Sequence, residues 1–404
     1  MAEDFFRDIP AAVRLKGPLS LPPPLSEPEL LEDLKTQSEK NRGASLFLGG
    51  GNYQHFIPSA VKHLVSRSEF YTAYTPYQAE ASQGTLQSIY EYQSMICELT
   101  GMDVANASMY DGATALAEAA LMSVRLTGRK EIVVSSAVHP HYRQVLKTYC
   151  RAADLKVTEV PYDQESGLTS SDWRPATGDA CFILQQPNFF GNVESAEKLS
   201  ALVHANGSLL IVAADPISLG LLKPPGEYGA DIVVGEGQSL GNPQNFGGPG
   251  LGIFAVKKES LRQMPGRIVG ATVDSEGKRG FVLTLSTREQ HIRRERATSN
   301  ICSNEALCAL AACVYLALMG KNGLKKVAEL CLQKANYLKR SLPSSALLFP
   351  SSPSFKEFVV KTKSKVGIDL GKDYPALKGA RLICVTELAK KEWLDELAAN
   401  LIAN

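Results

Sequence analysis

The chain has 404 residues, of which 44% are hydrophobic and 21% are charged, as in an ordinary globular protein of roughly two to three domains. A formal net charge of +1 gives no long-range field that would favour nucleic acid or an anionic membrane surface. The acidic start, Met1-Ala2-Glu3-Asp4, lacks both the apolar core of a signal peptide and the composition of a transit peptide, so we predict a cytoplasmic protein.

The cysteines show no spacing that indicates a metal centre. No Cys-x-x-Cys pair occurs, and most of the cysteines stand in apolar helix or strand patterns. Because zinc sites need clustered cysteine and histidine ligands, we predict reduced, buried thiols and no metal site. The eight are Cys97, Cys150, Cys181, Cys302, Cys308, Cys313, Cys331 and Cys384.

The predicted elements begin with an N-terminal arm, residues 1–44. It contains the run Leu21-Pro22-Pro23-Pro24 and then a short acidic helix from Glu27 to Lys40. From residue 45 to about residue 300, strand and helix patterns alternate, which favours a largely parallel sheet buried on both faces. The candidate strands are Glu131–Ser135, Lys156–Val160, Ala180–Leu184, Leu209–Ala214 and Ile232–Val234.

Residues 301–404 predict connecting helices and a smaller α+β domain. The longest apolar stretch, Ala306–Met319, is shorter than the ~20 residues that a membrane-spanning helix needs, so we predict a buried core helix. From about Gly320 the patterns indicate two helices, strands near Lys356–Val360 and Leu382–Val385, and a closing amphipathic helix from Lys390.

A glycine-rich loop without lysine follows the last strand of the central region. No lysine occurs between Lys223 and Lys257, although the segment from Asp231 to Gly252 is otherwise the most unusual in the chain. Gly-x-Gly after a strand suggests a dinucleotide site, but such a loop must open directly into a helix. The proline at position 243 and the Gly-Gly-Pro-Gly run that follows it make a helix improbable, so we reject that interpretation.

Three other features are candidates for binding. The turn Gly112-Ala113-Thr114 begins a helix whose free N–H groups could hold a phosphate, although an ordinary helix cap explains it equally simply. His139 directly follows a strand, where ligands lie in a parallel sheet, but could also be a capping or surface residue. Asp215 ends the most apolar strand and must find a partner there, either as a structural cap or as the anchor of a protonated ring nitrogen.

Taken in chain order, these features resemble the large domain of fold-type I pyridoxal-phosphate enzymes. The resemblance implies that the turn at Gly112 holds the cofactor phosphate, that His139 stacks on the ring and that Asp215 pairs with the ring nitrogen. It also implies an α/β, transferase-like fold with a large, mostly parallel sheet and a smaller α+β domain. The lysine that such enzymes carry after the next strand is missing here.

Six longer motifs are spread over nearly the whole chain. They are Phe47–His55, Arg67–Glu80, Ser82–Gly84, Ala105–Ser108, Ala297–Cys302 and Val385–Leu388. Together they resemble one family in particular, the α-type subunit of the glycine cleavage system P-protein, also called glycine dehydrogenase (decarboxylating) subunit 1. The sequence departs from the family pattern at the start of the chain and between Val360 and Gly371, where we expect the small domain to be trimmed.

This resemblance implies a division of labour between two chains. In the β-type subunit a His-Lys pair follows the corresponding strand, and counted from Asp231 that pair falls on Gln238-Ser239 here. A serine cannot form a Schiff base, so we expect pyridoxal phosphate on the partner β-type subunit and not covalently on this chain, which alone would be inactive. The implied reaction decarboxylates glycine and transfers the aminomethyl group to the lipoyl group of H-protein, in an α2β2 assembly.

In fold-type I dimers, loops of one subunit complete the site of the other. The best candidate here is the turn formed by Tyr74, Thr75, Pro76, Tyr77 and Gln78, because its aromatic and polar tips can shape a small pocket and its proline stiffens it. The alternative is that the tyrosines of this turn pack into the core of their own chain.

The sequence is also compatible with different roles for these residues and for the chain. His139, Asp215 and the turn Gly112-Ala113-Thr114 could form a vestigial pocket that holds a phosphate or nothing. The glycine loop could be close-packed backbone at a subunit interface. The chain could be a structural or regulatory partner that contributes nothing to an active site. It could also be a stand-alone pyridoxal-phosphate enzyme that uses Lys223 or Lys257, although neither stands at the required position.

Overall fold

A mostly parallel seven-stranded sheet is the centre of the fold in the computed structural model. The structure describes residues 5–41, 47–245, 247–301 and 303–403. The chain forms two compact units, Met1–Ala44 and Ser45–Asn404, and the sheet belongs to the second. The further division of that unit near residue 300 stays a prediction.

The strands and helices follow the apolar patterns of the sequence. The strands are β1 (Val104–Ala105), β2 (Glu131–Ser135), β3 (Lys156–Val160), β4 (Asp179–Gln186), β5 (Leu209–Ala214), β6 (Ile232–Glu236), β7 (Gly252–Val256), β8 (Ile268–Val273), β9 (Arg279–Thr284), β10 (Glu357–Lys361), β11 (Ile368–Asp369) and β12 (Ala380–Cys384). The helices are α1 (Glu27–Ser38), α2 (Ser59–Val65), α3 (Ser68–Tyr71), α4 (Gln83–Thr100), α5 (Gly112–Thr127), α6 (Pro140–Ala152), α7 (Ala196–Ala205), α8 (Gln290–Arg293), α9 (Ala306–Arg340) and α10 (Lys391–Ala403). All five strands predicted for the central region are therefore confirmed.

The order of the large sheet is β1-β7-β6-β5-β4-β2-β3. Strands β3, β2, β4, β5 and β6 run parallel, while β7 is antiparallel to β6 and β1 is antiparallel to β7. The carboxyl ends of β2, β4, β5 and β6 therefore meet at one edge, which is where a parallel sheet places its ligands.

Both faces of the sheet are buried, as its continuous apolar strands predict. Along β4, Phe182 and Leu184 belong to one hydrophobic cluster, which includes side chains of α4 and α9. Cys181 and Ile183 point the other way, into a cluster that includes residues of α5 and α6. Helices on both sides thus hold the strand ends in fixed positions.

Helix α9 contains the predicted core helix and continues well beyond it. The residues from Cys308 to Cys313 are buried, and all of them except Leu310 belong to the cluster that includes α4. By length and composition alone this helix could cross a membrane, but these side chains pack inside the protein. The backbone leaves helical geometry at Gly320, with φ 56° and ψ −175°, a conformation that glycine adopts without steric cost.

A three-stranded antiparallel sheet, β10-β12-β11, follows α9. Its apolar side chains share a cluster with Leu338 of α9 and Leu394 of α10. The prediction of two separate helices after Gly320 is wrong, because a single helical segment runs from the kink to Arg340. The short connection from β10 to β11 lies in the passage that we expect to be trimmed, and that expectation stays a prediction.

The described part of the first unit contains one α-helix, α1, two residues shorter than predicted. Ser26 caps it, and the Glu29 carboxylate accepts a hydrogen bond from the Ser26 N–H at 2.9 Å. The helix buries none of its residues. Among the described cysteines none forms a disulfide, and all except the partly exposed Cys97 are buried, while Cys302 lies outside the described residues.

Candidate functional site

A small cavity lies at the carboxyl ends of the parallel strands. Its volume is ≈ 30 Å³, which is room for roughly one or two water molecules. The structure brings the predicted residues His139 and Asp215 together in its wall. The lining residues are Gly51, Tyr53, His139, Tyr142, Gln185, Ala213, Ala214, Asp215, Pro216, Gly235 and Glu236.

Asp215 directly follows β5 and pairs with a lysine that the sequence analysis did not consider. Its Oδ2 lies 2.7 Å from Nζ of Lys356, which directly precedes β10. Its Oδ1 accepts a hydrogen bond from the Ile217 N–H at 3.1 Å. Asp215 is thus both a local cap and the partner of a cation, but that cation is part of this chain.

The Lys356 ammonium group is buried, with 2% of its side chain exposed, and has three partners. Besides Asp215, it donates to Nε2 of His55 at 3.2 Å and lies 3.4 Å from the centre of the Tyr53 ring. Burial is the largest influence and lowers the pKa of Lys356, but the charge of Asp215, its hydrogen bond and the nearby cysteines together outweigh burial, so the net pKa is raised. Lys356 therefore stays protonated and is no nucleophile at neutral pH.

His55 connects this pair to a second carboxylate. Its Nδ1 lies 2.6 Å from Oε2 of Glu387, which is 3.4 Å from the Cys331 thiol. Burial, and then the charge of Lys356, lowers the pKa of His55, so the neutral ring donates to Glu387 and accepts from the lysine. His55, Cys331 and Glu387 are close enough to hold a metal, but the adjacent ammonium opposes a second cation.

The turn predicted to hold a phosphate is capped by carboxylates of the chain itself. The Gly112 N–H, at the start of α5, donates to Oε2 of Glu236 at 3.0 Å, and the Thr114 N–H donates to Asp111 at 2.7 Å. The N–H groups of Gln238 and Leu251 also donate to Glu236, at 2.9 Å and 2.8 Å. Ala113, which lies between Gly112 and Thr114, is buried. Burial raises the pKa of Glu236, while its three N–H donors act in the opposite direction.

His139 caps α6 and has an aromatic ring stacked on it, although that ring belongs to this chain. The ring centres of His139 and Tyr142 lie 4.9 Å apart at 24°. One ring nitrogen, Nε2, lies 2.7 Å from the Gly50 carbonyl oxygen, and Nδ1 accepts from the His141 N–H at 3.1 Å. Burial lowers the pKa of His139 to about 4, so its ring is neutral at neutral pH.

The residues at the position of the missing lysine are buried but do not line the cavity. The Gln238 amide joins the loop to the Tyr53 backbone, accepting from its N–H at 2.9 Å and donating to its carbonyl at 3.0 Å. Ser239 is buried, and its hydroxyl has no hydrogen-bond partner among the described residues. It is not among the lining residues. Gly241, with φ 85°, approaches α9 closely, so part of the glycine loop packs inside this chain.

The predicted interface loop lies at the surface. Tyr74 and Tyr77 are 77% and 51% exposed, so packing of these tyrosines into the core is wrong. Thr75 is partly exposed, Pro76 is buried and Gln78 is exposed. The Tyr77 hydroxyl accepts a hydrogen bond from the buried Arg267 at 2.7 Å, and this contact fixes the direction of the loop.

Neither lysine that a stand-alone enzyme could use lies at the cavity. Lys223 pairs with Glu197 at 2.8 Å, and roughly half of each side chain or more is exposed. Lys257 pairs with Asp231 at 2.6 Å, at the end of β6 that lies away from the cavity. These positions argue against a Schiff base at either residue.

Four of the groups that shape this site were not predicted from the sequence: Tyr53, Tyr142, Glu236 and Lys356. Tyr142 stands three positions after His139 on one helix, a spacing at which side chains are neighbours, so it could have been found. Glu236 lies inside the glycine loop itself. Lys356 and Tyr53 come from distant segments, and no local pattern shows that they meet at Asp215.

Comparisons with known proteins extend over the whole chain. Residues 1–392 match the family model described as glycine cleavage system P-protein. Two relatives carry the name probable glycine dehydrogenase (decarboxylating) subunit 1. The one from Desulforamulus reducens is 54% identical over 99% of this chain and 94% of its own, and the one from Moorella thermoacetica is 53% identical over 98% and 93%.

Solved structures agree with these matches. A crystal structure of glycine decarboxylase (P-protein) of the glycine cleavage system, in inhibitor-bound form, is similar with a TM-score of 0.91 at 43% identity, over 100% of this chain and 95% of that one. Sphingosine-1-phosphate lyase from Burkholderia pseudomallei has a TM-score of 0.65 at 15% identity, over 97% and 93% of the two chains. The second likeness concerns the fold alone, and together they confirm the α/β fold of pyridoxal-phosphate enzymes.

Proposed function

The chain belongs to the P-protein family of the glycine cleavage system, and from that premise we propose that it is the subunit of this enzyme that lacks the cofactor-binding lysine. Its relatives are named subunit 1 of glycine dehydrogenase (decarboxylating), so its activity is that of a complex with a second, β-type subunit. Together the two would decarboxylate glycine and transfer the aminomethyl group to the lipoyl group of H-protein. We expect a cytoplasmic α2β2 heterotetramer.

One observation carries this proposal. In a chain that matches subunit 1 over 99% of its length, Gln238 and Ser239 follow β6, and the family resemblance implies that the catalytic subunit has its His-Lys pair at these positions. Pyridoxal phosphate on the partner would supply the electron sink for decarboxylation. Ser239 is buried away from the cavity wall, and the protonated Lys356 is held by Asp215, so the described residues around this cavity offer no free amine for that chemistry.

We further propose that the loop from Tyr74 to Gln78 completes the partner's site. Its tips are exposed while Pro76 is buried, so the loop projects from the body on a fixed base. Tyr77 is held by Arg267, and its ring lies 5.8 Å from that of His291 in an edge-on arrangement. A loop that is stiff and yet exposes phenol and amide groups is suited to shape a small pocket on a neighbouring surface.

Reconstitution tests the division of labour. This chain, the β-type subunit and their mixture would each be assayed for release of CO2 from glycine in the presence of lipoylated H-protein and pyridoxal phosphate. We expect activity in the mixture and in neither chain alone. Full activity of the β-type subunit alone would show that this chain contributes nothing to the active site, and activity of this chain alone would contradict the assignment altogether.

A further inference from the structure

We propose that Glu236 and Lys356 occupy, from within the chain, the two charged positions of a pyridoxal-phosphate site, so that the cavity is closed to the cofactor rather than vacant for it. The cofactor's phosphate and its protonated ring nitrogen each have a counterpart among the chain's own side chains. The inference rests on the fold and on the geometry around the cavity, and it does not depend on what the partner subunit does.

The phosphate position lies at the start of α5, where free N–H groups and the helix dipole attract an anion. The Glu236 carboxylate already accepts a hydrogen bond from the Gly112 N–H at 3.0 Å, and it also accepts from the N–H groups of Gln238 and Leu251. The Asp111 carboxylate accepts a hydrogen bond from the Thr114 N–H at 2.7 Å. A phosphate would therefore have to displace one carboxylate and approach another, and both would repel it.

The position of the ring nitrogen lies at Asp215, the residue that would pair with a pyridinium group. Lys356 supplies that positive charge from inside the chain, at 2.7 Å from Oδ2. Its remaining contacts, with Nε2 of His55 and with the face of the Tyr53 ring, use the rest of the ammonium group. The charge of Asp215 is thus already paired within the chain.

The space between these charges is also filled. Tyr142 stacks on His139, as the cofactor ring would. Its hydroxyl reaches the start of α5, since a methyl group added at Gly112 would lie 2.2 Å from that oxygen. What remains is ≈ 30 Å³, against roughly 300 Å³ or more in ordinary ligand pockets.

This closure is separate from the loss of the lysine. The phosphate turn, the stacking ring and the aspartate hold a cofactor without any covalent bond, so losing the lysine alone would leave a site of weaker affinity. Here the same three anchors are engaged by Glu236, Tyr142 and Lys356. A cofactor would therefore have to expel the buried Lys356 and the partly buried Glu236 and Tyr142, and the two charged groups among them have their partners inside the protein.

Anion rescue tests the inference on the full-length chain. In Glu236→Ala the start of α5 loses its carboxylate, and inorganic phosphate should replace it and raise the melting temperature by about 2 °C or more at millimolar concentration. The wild type should show no such rise. Glu194→Ala is the matched control, because Glu194 is a buried carboxylate that likewise accepts a backbone hydrogen bond, from the Thr169 N–H at 3.0 Å, but does not cap a helix. Phosphate should not rescue it.

A rise in the wild type equal to that of Glu236→Ala, or an equal response of the two alanine variants, would overturn the inference. A second measurement needs no variant. Equilibrium dialysis of the wild-type chain against pyridoxamine phosphate, which carries the ring and the phosphate but forms no adduct with surface lysines, should show no retained ligand. Retention of about one equivalent per chain would show that the site is open, whatever the variants do.

Discussion

Lys356 and Asp215 illustrate how a single buried ion pair is kept stable. Burial of two charges costs several kcal/mol and is offset only where the geometry is good and the remaining hydrogen-bonding groups are used. Lys356 meets both conditions through His55 and the Tyr53 ring, and Asp215 through the Ile217 N–H. Removal of either partner alone would leave a buried charge unmatched, so the pair fixes how β10 lies against the end of β5.

His139 predicts a measurable dependence of stability on pH. Its pKa of about 4 in the folded chain lies below the ordinary value of about 6.5, so the unfolded chain takes up this proton first as the pH falls. Its contribution to stability is therefore present above about pH 6.5 and is lost as the pH falls toward 4. Protonation of Nδ1 would also remove the acceptor of the His141 N–H.

The unfolding free energy of the wild type should therefore fall between about pH 7 and about pH 5. In His139→Gln this fall should be smaller by about 2 kcal/mol, because the titrating group is gone. Urea titrations at the two pH values would measure this difference. The control is His63→Gln, since His63 is exposed on α2. Its unfolding free energy should change with pH as that of the wild type does. Identical slopes in the wild type and in His139→Gln would contradict the lowered pKa.

At the scale of elements, the strands were predictable and the contacts between distant segments were not. Runs such as Leu209–Ala214 are apolar along their whole length, so they indicate buried strands without further information. The strand ends then place His139 and Asp215 at one edge of the sheet. What occupies that edge depends on Lys356, which comes from the segment just before β10, and on the direction of the Glu236 side chain. Neither feature can be read from the local sequence pattern.

The break at Gly320 was predictable from the sequence, but the number of helices after it was not. The apolar run ends at Met319, and in the structure the backbone leaves helical geometry at Gly320, so one helical segment does stop there. The segment that follows continues to Arg340 and packs against the small sheet through residues such as Leu338. Tertiary packing, which local patterns do not encode, thus favours one helix where the sequence predicts two.

The exposed loop gives a prediction of its own. Gln78→Ala and Tyr74→Ala should lower glycine decarboxylation by the reconstituted complex roughly tenfold while leaving the melting temperature of the isolated chain unchanged, because both side chains are exposed. Tyr77→Ala should also lower turnover, but it removes an acceptor from the buried Arg267 and so destabilises the chain as well.

Gln87→Ala is the matched control for this loop, since Gln87 is an exposed glutamine on α4 whose side chain donates to the Glu91 carboxylate at 2.8 Å. We expect it to change neither turnover nor stability. If Gln78→Ala and Tyr74→Ala leave turnover at the level of Gln87→Ala, the loop does not serve the partner's site.

At the scale of the whole molecule, the chain combines a complete fold with a closed cofactor position. Its match to subunit 1 runs over 99% of its length, and the large sheet is built as in a pyridoxal-phosphate enzyme. The described part of the first unit carries exposed apolar side chains, among them Phe5 and Leu31. Its helix α1 contains no buried residue. Such surfaces are typical of chains that assemble with a partner.

The most direct test of this division of labour is to locate the cofactor. This chain, the β-type subunit and their mixture would each be incubated with one equivalent of pyridoxal phosphate, reduced with borohydride and analysed by intact mass and peptide mapping. We predict one phosphopyridoxyl group on a single lysine of the β-type subunit and none on this chain, alone or in the mixture. A stoichiometric adduct on this chain, at Lys356 or at any other lysine, would contradict the central claim.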